Sequence, residues 1–179
     1  MKTLNKVFWL FGRSGAGKTT LSLRLCGGLK DAAIPVVHLD ADELRSTLCS
    51  DLGFSAEARE ENNRRIAEIA RLLVDQGFNV VVSTMAPEYQ QRDSVVRILG
   101  GKLVWIYIHA PLNTCIKRDP KGLYQRALQG HIQNLLDYPF DPPRDHERRL
   151  FIDTTMQNIE GCYSDLLEAV KAQLADYSI

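Results

Sequence analysis

This sequence has no long apolar run, no excess of either charge and no clustered cysteines, and each absence removes a class of function. No stretch approaches the ~20 apolar residues needed to cross a bilayer. The opening residues, Met1-Lys2-Thr3-Leu4-Asn5-Lys6, enter a strand pattern without a secretory hydrophobic region. The 22 Lys and Arg balance the 22 Asp and Glu, which argues against a general nucleic-acid or membrane-surface binder, since those carry a basic excess. Cys26, Cys49, Cys115 and Cys162 stand far apart with no Cys-x-x-Cys or Cys/His ligand spacing, so they read as thiols of a reducing compartment. No repeat, low-complexity segment or linker divides the chain, and 179 residues suit one domain. The expectation is a cytoplasmic protein with a single domain over residues 1–179, binding neither nucleic acid nor membrane.

What is present is an alternation of short β-branched or aromatic runs with longer helical patterns. Strands are expected at Lys6 to Phe11, Ile34 to Leu39, Asn79 to Thr84, Leu103 to Ile108 and Leu150 to Ile152. Between them the patterns predict a helix through about Leu29, a short one over Leu44 to Cys49, and a long one capped by Ser55 and ending before Gly77. Pro87 suits the first turn of a further helix, Pro111 to Lys117 reads as another, and Cys162 to Leu174 closes the chain. Alternation of this kind implies an α/β fold, a parallel sheet with helices on both faces. The polar stretch from Asp119 to Asp145 is too long for an ordinary connection and reads as a lid.

The strongest signal follows the first strand. Gly12-Arg13-Ser14-Gly15-Ala16-Gly17-Lys18-Thr19, with Thr20 after it, has the spacing of a phosphate-binding loop in its strand-then-helix context. Its glycines let successive amides face phosphate oxygens, and the helix start adds partial positive charge. Lys18 would reach the β- and γ-phosphates, and the Thr19 hydroxyl would ligate Mg2+. Such a loop fixes only the donor, ATP. Transfer also needs a carboxylate near the metal, a group to orient the nucleophile, and cations for the developing charge.

Candidates for those roles lie at the carboxyl ends of neighbouring strands. Asp40 and Asp42 follow the second strand: one can act on magnesium through water, and one can take the acceptor hydroxyl's proton. Asp42 is also placed to cap a helix. Arg59 and Asn62 share a helix face and, with Arg45, could clamp an anionic acceptor, although Glu57, Glu60 and Glu61 would equally make that face a salt-bridged surface. His38 and His109 read as satisfied near-core residues, and Trp9 and Trp105 as core.

These residues resemble the adenylylsulfate (APS) kinase family. The likeness runs through GRSGAGKTT, Asp40-x-Asp42-x-x-Arg45, Leu52-Gly53-Phe54 followed by Arg59, Asn62 and Arg65, then Pro87 and Arg92. It ends with Arg118-Asp119-Pro120-Lys121-Gly122-Leu123-Tyr124. The resemblance implies a five-stranded parallel P-loop kinase fold, commonly a homodimer, with a lid over about residues 119–145. It implies transfer of the γ-phosphate of ATP to the 3′-hydroxyl of adenylylsulfate, with magnesium, in sulfate assimilation. By position, Asp42 would activate that hydroxyl and touch the metal through water. Asp40, Arg45, Arg59, Asn62, Asn134 and Leu135 would surround the acceptor, Phe54 would stack on its base, Arg118 would pack near the donor adenine, and Lys121 would lie in the lid.

The departures cluster on the acceptor side. Asp-Gly-Asp is here Asp40-Ala41-Asp42, the serine before Pro87 is Ala86, and Ile-Lys-Asn-Phe-Thr-Gly is Ile132-Gln133-Asn134-Leu135-Leu136-Asp137. The phenylalanine replaced by Leu135 would be the second face of an aromatic sandwich, whose stacking is worth ~1–3 kcal/mol per base. A relative acting on another nucleotide conjugate, such as cytidine diphosphoramidate in capsule modification, would show the same changes. Phe140 is a candidate replacement stacking surface. A switch-type or non-catalytic nucleotide-binding module is the remaining alternative, and no Asn-Lys-x-Asp guanine motif accompanies it.

Overall fold

The five apolar runs become β1 (Val7–Phe11), β2 (Val36–Asp40), β3 (Asn79–Thr84), β4 (Leu103–His109) and β5 (Leu150–Asp153) in a computed structural model that describes residues 5–132, 135–136 and 138–175. They hydrogen-bond in the order β2-β3-β1-β4-β5, every pair parallel. The helices are α1 (Lys18–Asp31), α2 (Ala41–Ser46), α3 (Ala56–Asp75), α4 (Tyr89–Leu99), α5 (Leu112–Arg118), α6 (Leu123–Leu128) and α7 (Ile159–Ala175).

Why the strands read as unbroken apolar runs is clear from their alternation. Phe8 and Leu10 of β1 join Leu21, Leu25 and Leu29 of α1 and Leu166 and Val170 of α7 on one face. Val7, Trp9 and Phe11 join Ile66, Ala67 and Ala70 of α3 and Val95 and Leu99 of α4 on the other. With both faces covered, the period-two alternation sends side chains into two cores instead of one core and solvent. Each fully buried Leu, Ile or Phe contributes roughly 1.5–3 kcal/mol. All four cysteines are free thiols, as their spacing predicts, and all four are buried.

Several boundaries differ from expectation, each for a local reason. The short helix after β2 begins at Ala41 instead of Leu44, because Asp40, in an extended conformation, accepts from the Asp42 amide and caps it. The capping role expected of Asp42 therefore belongs to Asp40. Ser55 caps α3 as expected, accepting from the Ala58 amide at 3.2 Å. Pro87 lies before α4 rather than in its first turn; Glu88 is the N-cap residue and Tyr89 the first helical one. The polar stretch after α5 holds a helix, α6, because the Asp119 carboxylate accepts from the Tyr124 and Gln125 amides at 3.1 and 2.9 Å. The last helix starts at Ile159, ahead of Cys162.

The topology fixes where a ligand can sit. The chain leaves β1 toward the β2 edge, whereas it leaves β3 and β4 toward the β5 edge. Divergence of this kind opens a crevice at the carboxyl ends of the strands, and the glycine loop stands there.

Candidate active site

The loop between β1 and α1 is held by its own backbone. Gly12 and Gly15 lie so close to the next layer that a β-carbon would stand 2.1 Å from the Ile108 oxygen or 2.9 Å from the Cys115 oxygen. Lys18 Nζ donates to the Gly12 and Arg13 oxygens at 2.9 and 2.8 Å, closing the loop on itself. Burial lowers its pKa from 10.5 to about 8, partly offset by Asp42. Tyr124 Oη donates to the Ser14 oxygen at 3.0 Å, and the Thr154 hydroxyl donates to the Ala16 oxygen at the same distance. Arg13 lies over the Phe140 ring, and Thr20 lines the cleft at the start of α1.

Beside the loop, Thr19 Oγ1 donates to Asp40 Oδ2 at 3.0 Å, and Ser83 Oγ donates to the same oxygen at 2.7 Å. Burial alone would raise the Asp40 carboxyl. The bonds from Ser83, the Asp42 amide and Thr19 outweigh it and hold the group below its usual value. Asp40, expected among the acceptor contacts, is thus turned toward the phosphate loop. A hydroxyl with a carboxylate is a hard-oxygen donor set that suits Mg2+ shared with phosphates. Among the described residues no cluster of three or more His, Cys, Asp or Glu would make a protein-only cage.

Across the cleft from the loop stand the side chains expected to meet the acceptor. Arg45 donates to the Gly53 oxygen at 2.7 Å and lies over the Phe54 ring at 4.8 Å. Arg59 donates from Nε to the Phe54 oxygen at 3.1 Å, with its guanidinium 5.7 Å from the Phe54 ring and 4.6 Å from the Tyr138 ring. Burial lowers the pKa of both guanidiniums, and the charge of Arg59 lowers Arg45 further. Neither has an ion-pair partner among the described residues. The rest of the expected surface pairing is present: Arg64 and Arg65 bind Glu61, and Arg65 binds Asp51. Phe54 is 60% exposed, whereas Asn62 is 2% exposed with its Oδ1 unpartnered among the described residues.

Asp42 stands between the two ends, solvent-accessible and ion-paired with Lys121, in the stretch expected to be a lid. One cleft of about 1420 Å³ is lined by Lys18, Thr19, Asp40, Asp42, Arg45, Phe54, Arg59, Asn62, Arg118, Lys121 and Leu135. That exceeds the ~300–1,000 Å³ of a site for one small ligand. Arg118, expected near the donor adenine, donates to Thr154 Oγ1 and the Thr154 oxygen, both at 2.8 Å, beside the loop. Leu135 lines the cleft and packs on the core from that side. Asn134 lies outside the described residues, with Gln133 and Asp137. Phe140 does not face Phe54; it sits against Tyr107 and Arg13, outside the cleft lining.

Sequence reasoning gave no role to Ser83, Tyr124, Tyr138 or Thr154. Ser83 and Thr154 lie at or just past the carboxyl ends of β3 and β5, where parallel sheets place ligands, so position alone could have found them. Arg92, a bare match in the sequence, proves fully buried: it pairs with Glu147 at 3.1 Å and donates to the Ala86, Pro87 and Asp141 oxygens. It fastens the start of α4 to Asp141 and Glu147.

Known proteins resemble this chain in sequence and fold. An adenylyl-sulfate kinase of Clostridium acetobutylicum is 36% identical over 173 residues, 96% of this chain and 86% of the relative. One from Shewanella sp. (strain MR-7) is 40% identical over 174 residues, 96% and 80% of the two chains. The Mycobacterium tuberculosis APS kinase, solved in complex with AMPPNP and APS, superposes with a TM-score of 0.88 at 30% identity, covering 95% of this chain and 99% of that one. The sequence model of the adenylylsulphate kinase family matches residues 4–151, and with these relatives it shows that the chain belongs to that family.

Proposed function

We propose that this chain transfers the γ-phosphoryl group of ATP to the 3′-hydroxyl of adenylylsulfate, giving ADP and 3′-phosphoadenylylsulfate. One observation carries the reading: a single cleft joins a phosphate loop to two guanidiniums without carboxylate partners, with an accessible carboxylate between them. The volume suits two nucleotides. Relatives named adenylyl-sulfate kinase, and a solved neighbour holding AMPPNP and APS, support the same pair of substrates.

In this reading the amides of residues 12–17 and Lys18 bind the donor phosphates, with Arg118 beside them. Arg45, Arg59 and Asn62 hold the acceptor's phosphosulfate and ribose, and Phe54 stacks on its base. Asp42 takes the proton of the 3′-hydroxyl as the oxygen attacks the γ-phosphorus and the bond to ADP breaks. Lys121 releases Asp42 on closure and turns to the incoming anions. The Thr19 hydroxyl would hold Mg2+ directly, and Asp40 and Asp42 would do so through water. There the ion supplies charge neutralisation on the phosphates. Cytoplasmic placement, a kinase domain spanning residues 1–179 and a homodimer belong to the same reading; light scattering on the eluted protein tests the dimer.

The deciding assay follows ADP release from Mg-ATP with adenylylsulfate, with cytidine diphosphoramidate, and with plain nucleosides. Release with adenylylsulfate alone is expected. Leu135, in the position of a stacking aromatic, is the observation that keeps the cytidine conjugate in the test. No ADP above background with adenylylsulfate sinks the proposal.

A further inference from the structure

We propose that Tyr138 is a positioning residue for the acceptor: its ring, pinned by Glu88, holds the Arg59 guanidinium in the orientation that meets the acceptor's anion. The inference rests on the acceptor reading above and adds a residue to it.

The reasoning starts from Arg59. A long, half-buried cation facing a cleft needs restraint, and a carboxylate is the usual one. A carboxylate would also neutralise the charge the acceptor is to meet. Aromatic faces fix a guanidinium and leave its charge available. Arg59 has that arrangement, 4.6 Å from the Tyr138 ring and 5.7 Å from the Phe54 ring, with Nε tied to the Phe54 oxygen. Phe54 is more than half exposed and would be engaged by the acceptor, so Tyr138 is the ring left to hold Arg59.

Tyr138 is itself held. Its hydroxyl donates to Glu88. Glu88 is the N-cap residue of α4, yet its side chain makes no cap bond. Asp141 takes over there, accepting from the Tyr89 amide at 2.7 Å, and this leaves the Glu88 carboxylate for Tyr138. The Asp141 amide donates to the Pro87 oxygen at 2.9 Å, and its oxygen accepts from Arg92 at 3.2 Å. The segment carrying Tyr138 is thus docked on the start of α4 by main chain and side chain together. Burial and the Glu88 carboxylate push the phenol up to about 12, so it remains a donor at neutral pH. Tyr138 is not among the cleft-lining residues, which makes it a support for Arg59 rather than a direct contact.

The test compares Tyr138→Leu, which removes the ring, with Tyr138→Phe, which keeps it. Tyr138→Leu should raise the KM for adenylylsulfate on the order of tenfold, with the ATP KM and kcat within about twofold. Tyr138→Phe should recover most of that loss. An unchanged acceptor KM in Tyr138→Leu, or an equal rise in both KM values, overturns the proposal. A second readout needs no turnover: the Arg59 Nε–H resonance, assigned with Arg59→Lys, carries the ring current of Tyr138. It should move in Tyr138→Leu and stay near its original position in Tyr138→Phe. Should the unaltered protein release no ADP with adenylylsulfate, the acceptor reading fails on its own. The resonance then decides this inference, and an unmoved signal in Tyr138→Leu overturns it.

Discussion

At the end proposed for the donor the binding groups would be main-chain amides of residues 12–17, in a loop braced against Ile108 and Cys115. At the end proposed for the acceptor they would be the side chains of Arg45, Phe54, Arg59 and Asn62, braced by aromatic faces that include Tyr138. Main-chain recognition tolerates little change of sequence, so the donor motif stands intact. Side-chain recognition can be retuned one residue at a time, and the departures from the family pattern lie there. The two ends also differ in charge: Lys18 is folded back on loop oxygens, whereas both guanidiniums wait without a counter-ion among the described residues.

The comparison breaks most easily at Lys18. Lys18→Ala should lower kcat on the order of 10⁴-fold with every acceptor, because it removes charge at the transferred phosphoryl and the tie that closes the loop. Substantial remaining turnover in the ADP assay would contradict the donor assignment. Next is the carboxylate between the two ends. Asp42→Asn should cost kcat about 10²- to 10³-fold while ATP still binds, and unchanged turnover removes Asp42 as the base.

Anchoring of the acceptor end comes third. Arg92→Met removes the nearer cation from the buried Glu147, leaving Arg144 at 3.7 Å, and strips the Ala86, Pro87 and Asp141 oxygens of their donor, at a cost of about 3–5 kcal/mol. For a chain of this size that is a fall in melting temperature of roughly 6–20 °C. A melt within a degree or two of the parent would show that the acceptor end does not hang on this pair. Smaller again, Leu135→Phe should lower the adenylylsulfate KM about tenfold by restoring a stacking face, with the ATP KM unchanged. A tightened cytidine conjugate instead would reassign the pocket.

The smallest effect is a proton. With Lys18 near 8 in the free protein and 10.5 when unfolded, the folded chain binds fewer protons between those values. Its stability therefore rises with pH through that window. Nucleotide phosphates restore the proton, so calorimetry in buffers of different ionisation heat should find uptake of about 0.7 proton at pH 8.5 and nearly none at pH 6.5. Equal uptake at both would remove Lys18 as the group responsible.

Legibility in the sequence followed the same divide. β1, the loop and α1 could be read because all their determinants are contiguous, and β3 is found at its expected bounds. Asp40 could not be assigned from its neighbours, since its partners Thr19 and Ser83 come from other elements brought together by the order of the sheet. α6 was hidden because its capping carboxylate, Asp119, lies upstream of the N-cap position held by Gly122. Tyr138 and Phe140 were separable only in three dimensions: both are aromatic and nearly adjacent, yet one faces Arg59 and the other Tyr107.

The absence of any side chain at Gly12 has a further reach. With the loop seated directly on the Ile108 carbonyl, nothing soft separates the phosphate cradle from the middle of the sheet. Strand β4 therefore acts as a stiff mounting for the donor phosphates. A volume change at Ile106 or Ile108, both fully buried and invisible as a motif, would misaim the γ-phosphoryl group as well as cost stability.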